Sequence, residues 1–166
     1  MIEHIVGIDP DIDKSGVAYL ERSTRKLEVS SLSFAELIDY FIFLQARTKD
    51  VVVVVEAGWL NKGNWHIRYS DNKGQACAKG YQVGRNHETG RKIIEVALHF
   101  GFKVEEVKPL KKCWHGKDGK ITHEELAYFT GIMGRTNQDG RDAALLAWNY
   151  ANLPIRCKPI GKGKIV

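Results

Sequence analysis

Apolar positions in this chain recur with two periods, and the changes between them divide it into elements. Short apolar runs over 2–9, 16–21 and 27–31 are separated by turn residues such as Asp13, Lys14, Ser23 and Thr24, which predicts three strands in an antiparallel meander. The period then lengthens. Ser33 and Glu36 form a capping box, and Phe34, Leu37, Ile38, Phe41, Ile42 and Leu44 recur at helical spacing to residue 47. Five consecutive valines, Val51 to Val55, predict a strand buried on both faces, central and parallel, that ends in Glu56. Residues 57–92 are the least regular part of the chain and contain six glycines. A helix over 88–100, with Ile93, Ile94, Ala97 and Leu98, stops at Gly101. A strand follows over 103–107. Thr122 and Glu125 cap a short helix to 129, and a last helix over 139–152 ends before Pro154.

The predicted architecture is therefore a single α/β domain over 1–166, with a mixed sheet of a three-strand antiparallel meander plus two parallel strands, flanked by helices. At 166 residues and 43% hydrophobic content it can bury a core without staples. Cys77, Cys113 and Cys157 are odd in number and never in a C-x-x-C pair, which predicts reduced thiols and no zinc ribbon. No run reaches the length of a membrane span, and the opening residues carry no basic leader, so the expected location is cytoplasmic. The +5 formal charge favours a polyanionic partner but is equally compatible with simple solubility. The tail KPIGKGKIV, within 157–166, is basic and expected to be mobile.

The candidate chemistry is acidic. Asp9, Asp11 and Asp13 mimic the start of a calcium loop, but that loop needs glycine at its sixth position and glutamate at its twelfth, where Lys14 and Leu20 stand. Asp11 and Asp13 read instead as turn residues. Asp9 and Glu56 each end a strand, and if those strands are parallel neighbours both carboxylates emerge at one sheet edge. In NQDGRDAALLAW, Asp139 and Asp142 are three residues apart and share a helix face. Asp139 alone equally reads as a helix N-cap, and Asp9 alone as a turn residue. Glu56, directly after five buried valines, has no such reading unless a buried cation satisfies it. Four carboxylates held together stay ionised only beside cations, and all-oxygen ligation suits magnesium or manganese.

GIDPDIDKSGVAYLE, VVVVVEAGW and QDGRDAALLAWNYA, in that order, resemble the RuvC-type Holliday junction resolvases of the ribonuclease H-like superfamily, over nearly the whole chain. The resemblance implies a magnesium-dependent endonuclease that resolves four-way DNA junctions by paired symmetric nicks, leaving 5′-phosphate and 3′-hydroxyl ends. It implies two magnesium ions, with manganese a substitute, on Asp9, Glu56, Asp139 and Asp142, and basic residues near the scissile phosphate at Lys108 and Lys120. A homodimer follows from the two nicks, with no membrane and no small-molecule cofactor. This chain departs from the family's G-I-D-P-G in carrying Asp11 where the glycine stands. That aspartate also separates it from the actin-like ATPases, whose first motif needs the glycine for phosphate approach.

Between residues 57 and 92, seven basic residues face two acidic ones, interleaved with aromatics. Cations pair with phosphates and aromatic faces stack on splayed bases, so Lys62, Trp65, Arg68, Tyr69, Lys73, Lys79, Tyr81, Arg85 and Arg91 are candidate nucleic-acid contacts, within a basic aromatic loop over 57–85. The alternative for its tryptophans is a satellite core beneath the loop. The rival functions are a non-catalytic nucleic-acid-binding module on the same fold, or a nuclease for other branched DNA or RNA–DNA hybrids.

Overall fold

The computed structural model describes residues 2–61 and 68–157. Five strands, β1 (His4–Asp9), β2 (Ser15–Glu21), β3 (Lys26–Leu32), β4 (Val51–Glu56) and β5 (Lys103–Val107), form one sheet in the order β3-β2-β1-β4-β5. The β1–β2 and β2–β3 pairs are antiparallel, and β1–β4 and β4–β5 are parallel, as the run of strands and helical crossovers predicts. The helices are α1 (Phe34–Arg47), α2 (Lys73–His99), α3 (His123–Thr130) and α4 (Gln138–Tyr150).

Strand pleating divides the core in two. Val51, Val53 and Val55, with Val6, Ile8 and Val17, pack against Leu37, Phe41 and Leu44 of α1 and Ile93 and Ala97 of α2. Val52 and Val54, with Ile5, Ala18 and Leu20, pack against Leu126 of α3 and the 143–148 stretch of α4. The valine run thus serves both faces, which is why it contains no polar alternation. Helix α4 lies close on the sheet because Gly7 and Gly16 have no side chain: a Cβ at Gly7 would overlap the Ala143 carbonyl, and one at Gly16 the Asp139 carbonyl. Trp148 is fully buried there, with its Nε1–H donating to the Pro154 carbonyl at 3.1 Å.

The Ser33 and Thr122 capping boxes form as expected. Two expectations change. Asn137, not Asp139, caps α4, its side chain accepting from Gly140 N at 2.9 Å. Helix α2 begins at Lys73 rather than residue 88, started by an Asn72–Gln75 capping box, so the loop predicted over 57–85 is helical in its second half. The basic tail expected over 157–166 lies, from residue 158, outside the described residues. No described helix is long and apolar enough to cross a membrane.

Candidate active site

Ile8 of β1 pairs with Val55 of β4, so Asp9 and Glu56 leave adjacent strands at the same level. Pleating turns both toward the α4 side, the side of Val52 and Val54. The β4–β5 ladder continues past Glu56 through Ala57 N–H donating to the Val107 carbonyl at 2.8 Å, which holds the strand end straight. Asp139 and Asp142 sit in the first turns of α4. All four carboxylates line a single cleft of about 1480 Å³ between the 79–87 stretch of α2 and the segment 109–121.

Their mutual effect is large. Burial, then the charges of Glu56, Asp142 and Asp139, push the Asp9 carboxyl well above its ordinary range against the opposing pull of Lys120. Burial and Asp142 likewise raise Glu56, opposed by Lys120 and Lys112. Burial raises Asp139 too, with Asp11 and Asp142 adding to it. Among the described residues no hydrogen bond reaches the carboxylates of Asp9, Glu56 or Asp139, whereas Asp142 accepts from Lys120 Nζ at 2.7 Å and Gln138 Nε2 at 2.8 Å. Burial alone would depress the Lys120 ammonium, but the hydrogen bond and charge of Asp142, with Asp9 and Asp139, raise it overall. Lys120 therefore stays cationic in the middle of the acidic group.

Among the described residues no three His, Cys, Asp or Glu side chains are grouped closely enough to hold a metal ion as they stand. The physical reason for Asp142 is plain: Lys120 holds it. The donor set itself, all carboxylate oxygen, with three members that lack a hydrogen bond among the described residues and are each raised by burial and by neighbouring like charge, has the chemistry of a magnesium or manganese site. A cation would relieve the desolvation and repulsion that now raise Asp9, Glu56 and Asp139.

Lys120 is delivered by a tight loop. Trp114 N donates to the Gly119 carbonyl at 3.0 Å and Gly116 N to the Lys120 carbonyl at 2.9 Å, while Asp118 and Gly119 take left-handed backbone angles. Glu125 braces it, accepting from Thr122 N at 2.9 Å, His115 N at 3.2 Å and His115 Nδ1 at 2.6 Å. Arg141 ties the same loop to α4, donating through Nε to the Ile121 carbonyl at 3.0 Å and through its terminal nitrogens to Thr136 O and Gln138 Oε1.

The basic candidates divide sharply. Lys120, Arg68 and Lys79 line the cleft, with Lys79 paired to Asp71 at 2.7 Å. Lys108 does not line it and is exposed; Lys111 and Lys112 do, and Lys112 is the one whose charge reaches Glu56. Nothing local in the sequence marks Lys112, because only the folding of the 109–122 segment brings it to the cleft. Lys73 and Tyr69 are exposed and do not line the cleft, Arg85 lies over the Tyr81 ring at 5.5 Å, and Arg91 over Trp59 at 5.4 Å. Lys62 and Trp65 fall outside the described residues. Trp59 is a packing element: its Nε1–H donates to Glu106 at 2.9 Å, and a Cβ at Gly90 would stand 2.7 Å from its ring.

No family model matches the chain, and no curated protein matches its sequence. Among solved structures it is similar to Thermus thermophilus RuvC, at a TM-score of 0.50 and 17% identity over 89% of this chain and 93% of that one. It is also similar to T. thermophilus RuvC in complex with Holliday junction substrate, at 0.48 and 16% over 89% and 92%. The chain has the ribonuclease H-like fold seen in RuvC, a mixed five-stranded sheet flanked by helices.

Proposed function

We propose that this chain is a divalent-metal-dependent DNA endonuclease that resolves four-way junctions as a homodimer. One observation carries the reading: Asp9, Glu56, Asp139 and Asp142 line the same cleft as Arg68, Lys79, Lys111, Lys112 and Lys120, so an acidic floor suited to cations lies between walls suited to a polyanion. The RuvC fold and the order of the three acidic motifs support it.

In this reading Asp9, Glu56, Asp139 and Asp142 hold two magnesium ions, which when bound supply activation of a water for in-line attack and charge neutralisation at the phosphate and leaving 3′ oxygen. The chain's own contribution is placement. Strand ends fix Asp9 and Glu56, α4 fixes Asp139 and Asp142, and Arg141 and Glu125 fix the loop bearing Lys120. Lys120 Nζ, held on Asp142 among the four carboxylates, would supply a fixed positive charge to neutralise a phosphate oxygen. Arg68, Lys79, Lys111 and Lys112 hold the flanking backbone. Two copies related by a twofold axis make the two nicks, giving 5′-phosphate and 3′-hydroxyl ends.

The test is incubation with an end-labelled four-way junction, a matched duplex and an RNA–DNA hybrid, in magnesium or EDTA, alongside Asp9→Asn. Symmetric, magnesium-dependent nicking of the junction alone, lost in the variant, is expected. Binding without cleavage in magnesium or manganese would favour the non-catalytic module, and cleavage of the hybrid alone would replace the substrate.

A further inference from the structure

The first turns of α2 project beyond the packed body: from residue 73 to 88 none is buried, and Thr89 is the first that is. Between residues 73 and 86, apart from ties to the lead-in segment at Asp71 and Asn72, both hydrogen bonds to the rest of the described fold come from Asn86. Its Oδ1 accepts from Ile12 N at 3.2 Å and its Nδ2 donates to Asp11 Oδ2 at 3.2 Å. Asp11 has its other oxygen engaged as well, Oδ1 accepting from Asp13 N at 2.9 Å. Its backbone is held by Ser15, whose Oγ accepts from Asp11 N and donates to the Asp11 carbonyl. Both carboxylate oxygens of Asp11 are thus used within the protein, although Asp9 is two residues away.

The projecting stretch of α2 carries the cleft-lining Lys79 and forms one wall of the cleft. At 1.5 Å per residue, residues 73–86 make an arm about 20 Å long, so a swing of about 10° at its base moves its tip by about 3 Å. Asn86 is at that base. We propose that Asp11 and Asn86 are a clasp that fixes the arm against the turn following Asp9 and so sets the cleft opening offered to DNA. Both are then positioning residues for substrate binding, and Asp11 is not a metal ligand. The consequence for DNA rests on the nuclease reading, whereas the tie itself does not.

The geometry supplies its own control. Asn86→Ala removes both hydrogen bonds. Asn86→Asp sets two carboxylates face to face. Asp11→Asn combined with Asn86→Asp reverses the donor and acceptor and can retain all three contacts: Asp13 N to a carbonyl oxygen at position 11, the amide at position 11 to a carboxylate at 86, and Ile12 N to its second oxygen. Hydrogen exchange over residues 73–86 in the DNA-free protein reads the tie; single-turnover junction cleavage against protein concentration separates half-saturation from plateau rate. Both single changes at Asn86 should speed exchange over the arm and raise the half-saturating concentration roughly fivefold to tenfold, a loss typical of two ordinary hydrogen bonds. The swapped pair should return both to within twofold of the parent.

Unchanged exchange in Asn86→Ala overturns the clasp. Faster exchange with half-saturation within twofold of the parent overturns its role in binding, as does a swapped pair that folds but stays as weak as the single variants. A parent protein that binds the junction but cuts nothing sinks the nuclease reading alone, and the half-saturation of junction binding then carries the same comparison; one that neither binds nor cuts DNA sinks the nuclease reading and the DNA role together, while the exchange result still decides whether the arm is tied.

Discussion

The floor and the walls of the cleft are built on opposite plans. Asp9 and Glu56 end the two central strands of the sheet, and α4 is pressed onto that sheet through Gly7 and Gly16. The walls are an overhanging helix and a loop, tied by a few hydrogen bonds: Asn86 to the turn after Asp9, Glu125 to the Lys120 loop. In the nuclease reading, groups that would have to converge within ångströms are mounted on the core, while groups that would follow the nucleic acid are mounted where they can adjust.

The sharpest test of the floor is Asp9→Asn, expected to lower junction cleavage on the order of a thousandfold. The same variant should melt at a higher temperature than the parent in EDTA, because it removes a charge that the fold disfavours. The sign follows from the raised Asp9 and Glu56 carboxyls: stability from their protonated forms is complete below the ordinary carboxylate range and is lost as pH rises through the elevated values. The advantage of the variant should therefore shrink as pH falls toward the ordinary carboxylate range, and magnesium should stabilise the parent more than the variant. Equal melting of the two in EDTA at neutral pH would contradict the repulsion.

Gly16→Ala comes next, with an expected loss of about 3 kcal/mol in denaturant unfolding, since the added methyl overlaps the Asp139 backbone. On the wall, Lys112→Ala should weaken junction binding uniformly across sequences and lower its salt slope by about one, whereas Lys108→Ala should leave both unchanged. The smallest effect contrasts two parts of one helix. Gly84→Ala, in open space, should stabilise α2 by about 0.5–1 kcal/mol, and Gly90→Ala should destabilise it because the methyl meets Trp59.

The same division explains what could be read from the residues. Strand ends and a three-residue helical spacing are local signals, so Asp9, Glu56, Asp139 and Asp142 are legible as one candidate set in the sequence, as the family resemblance also implies. The valine run similarly announced a two-faced strand. The start of α2 is not legible in the sequence although Asn72 and Gln75 form its capping box, because Gly74, Gly80 and Gly84 argue against helix and an overhanging segment has no apolar stripe to reveal its period. Lys108 is legible as a candidate because it directly follows the predicted fifth strand, whereas Lys112 is not, since the turn that returns it to Glu56 depends on hydrogen bonds from Trp114 and Gly116. Asp11 read correctly as a turn residue, but its partner lies 75 positions away.

The central position of β1, hydrogen-bonded on both sides, has a consequence for how the molecule comes apart. A protease acting on transient openings would meet the first turns of α2 long before it met the backbone at Asp9, which is released only when the sheet itself dissolves. Limited digestion should therefore leave a trimmed body that retains its acidic group, and if the nuclease reading holds, loss of DNA binding and loss of the four-carboxylate cluster would follow two separate clocks.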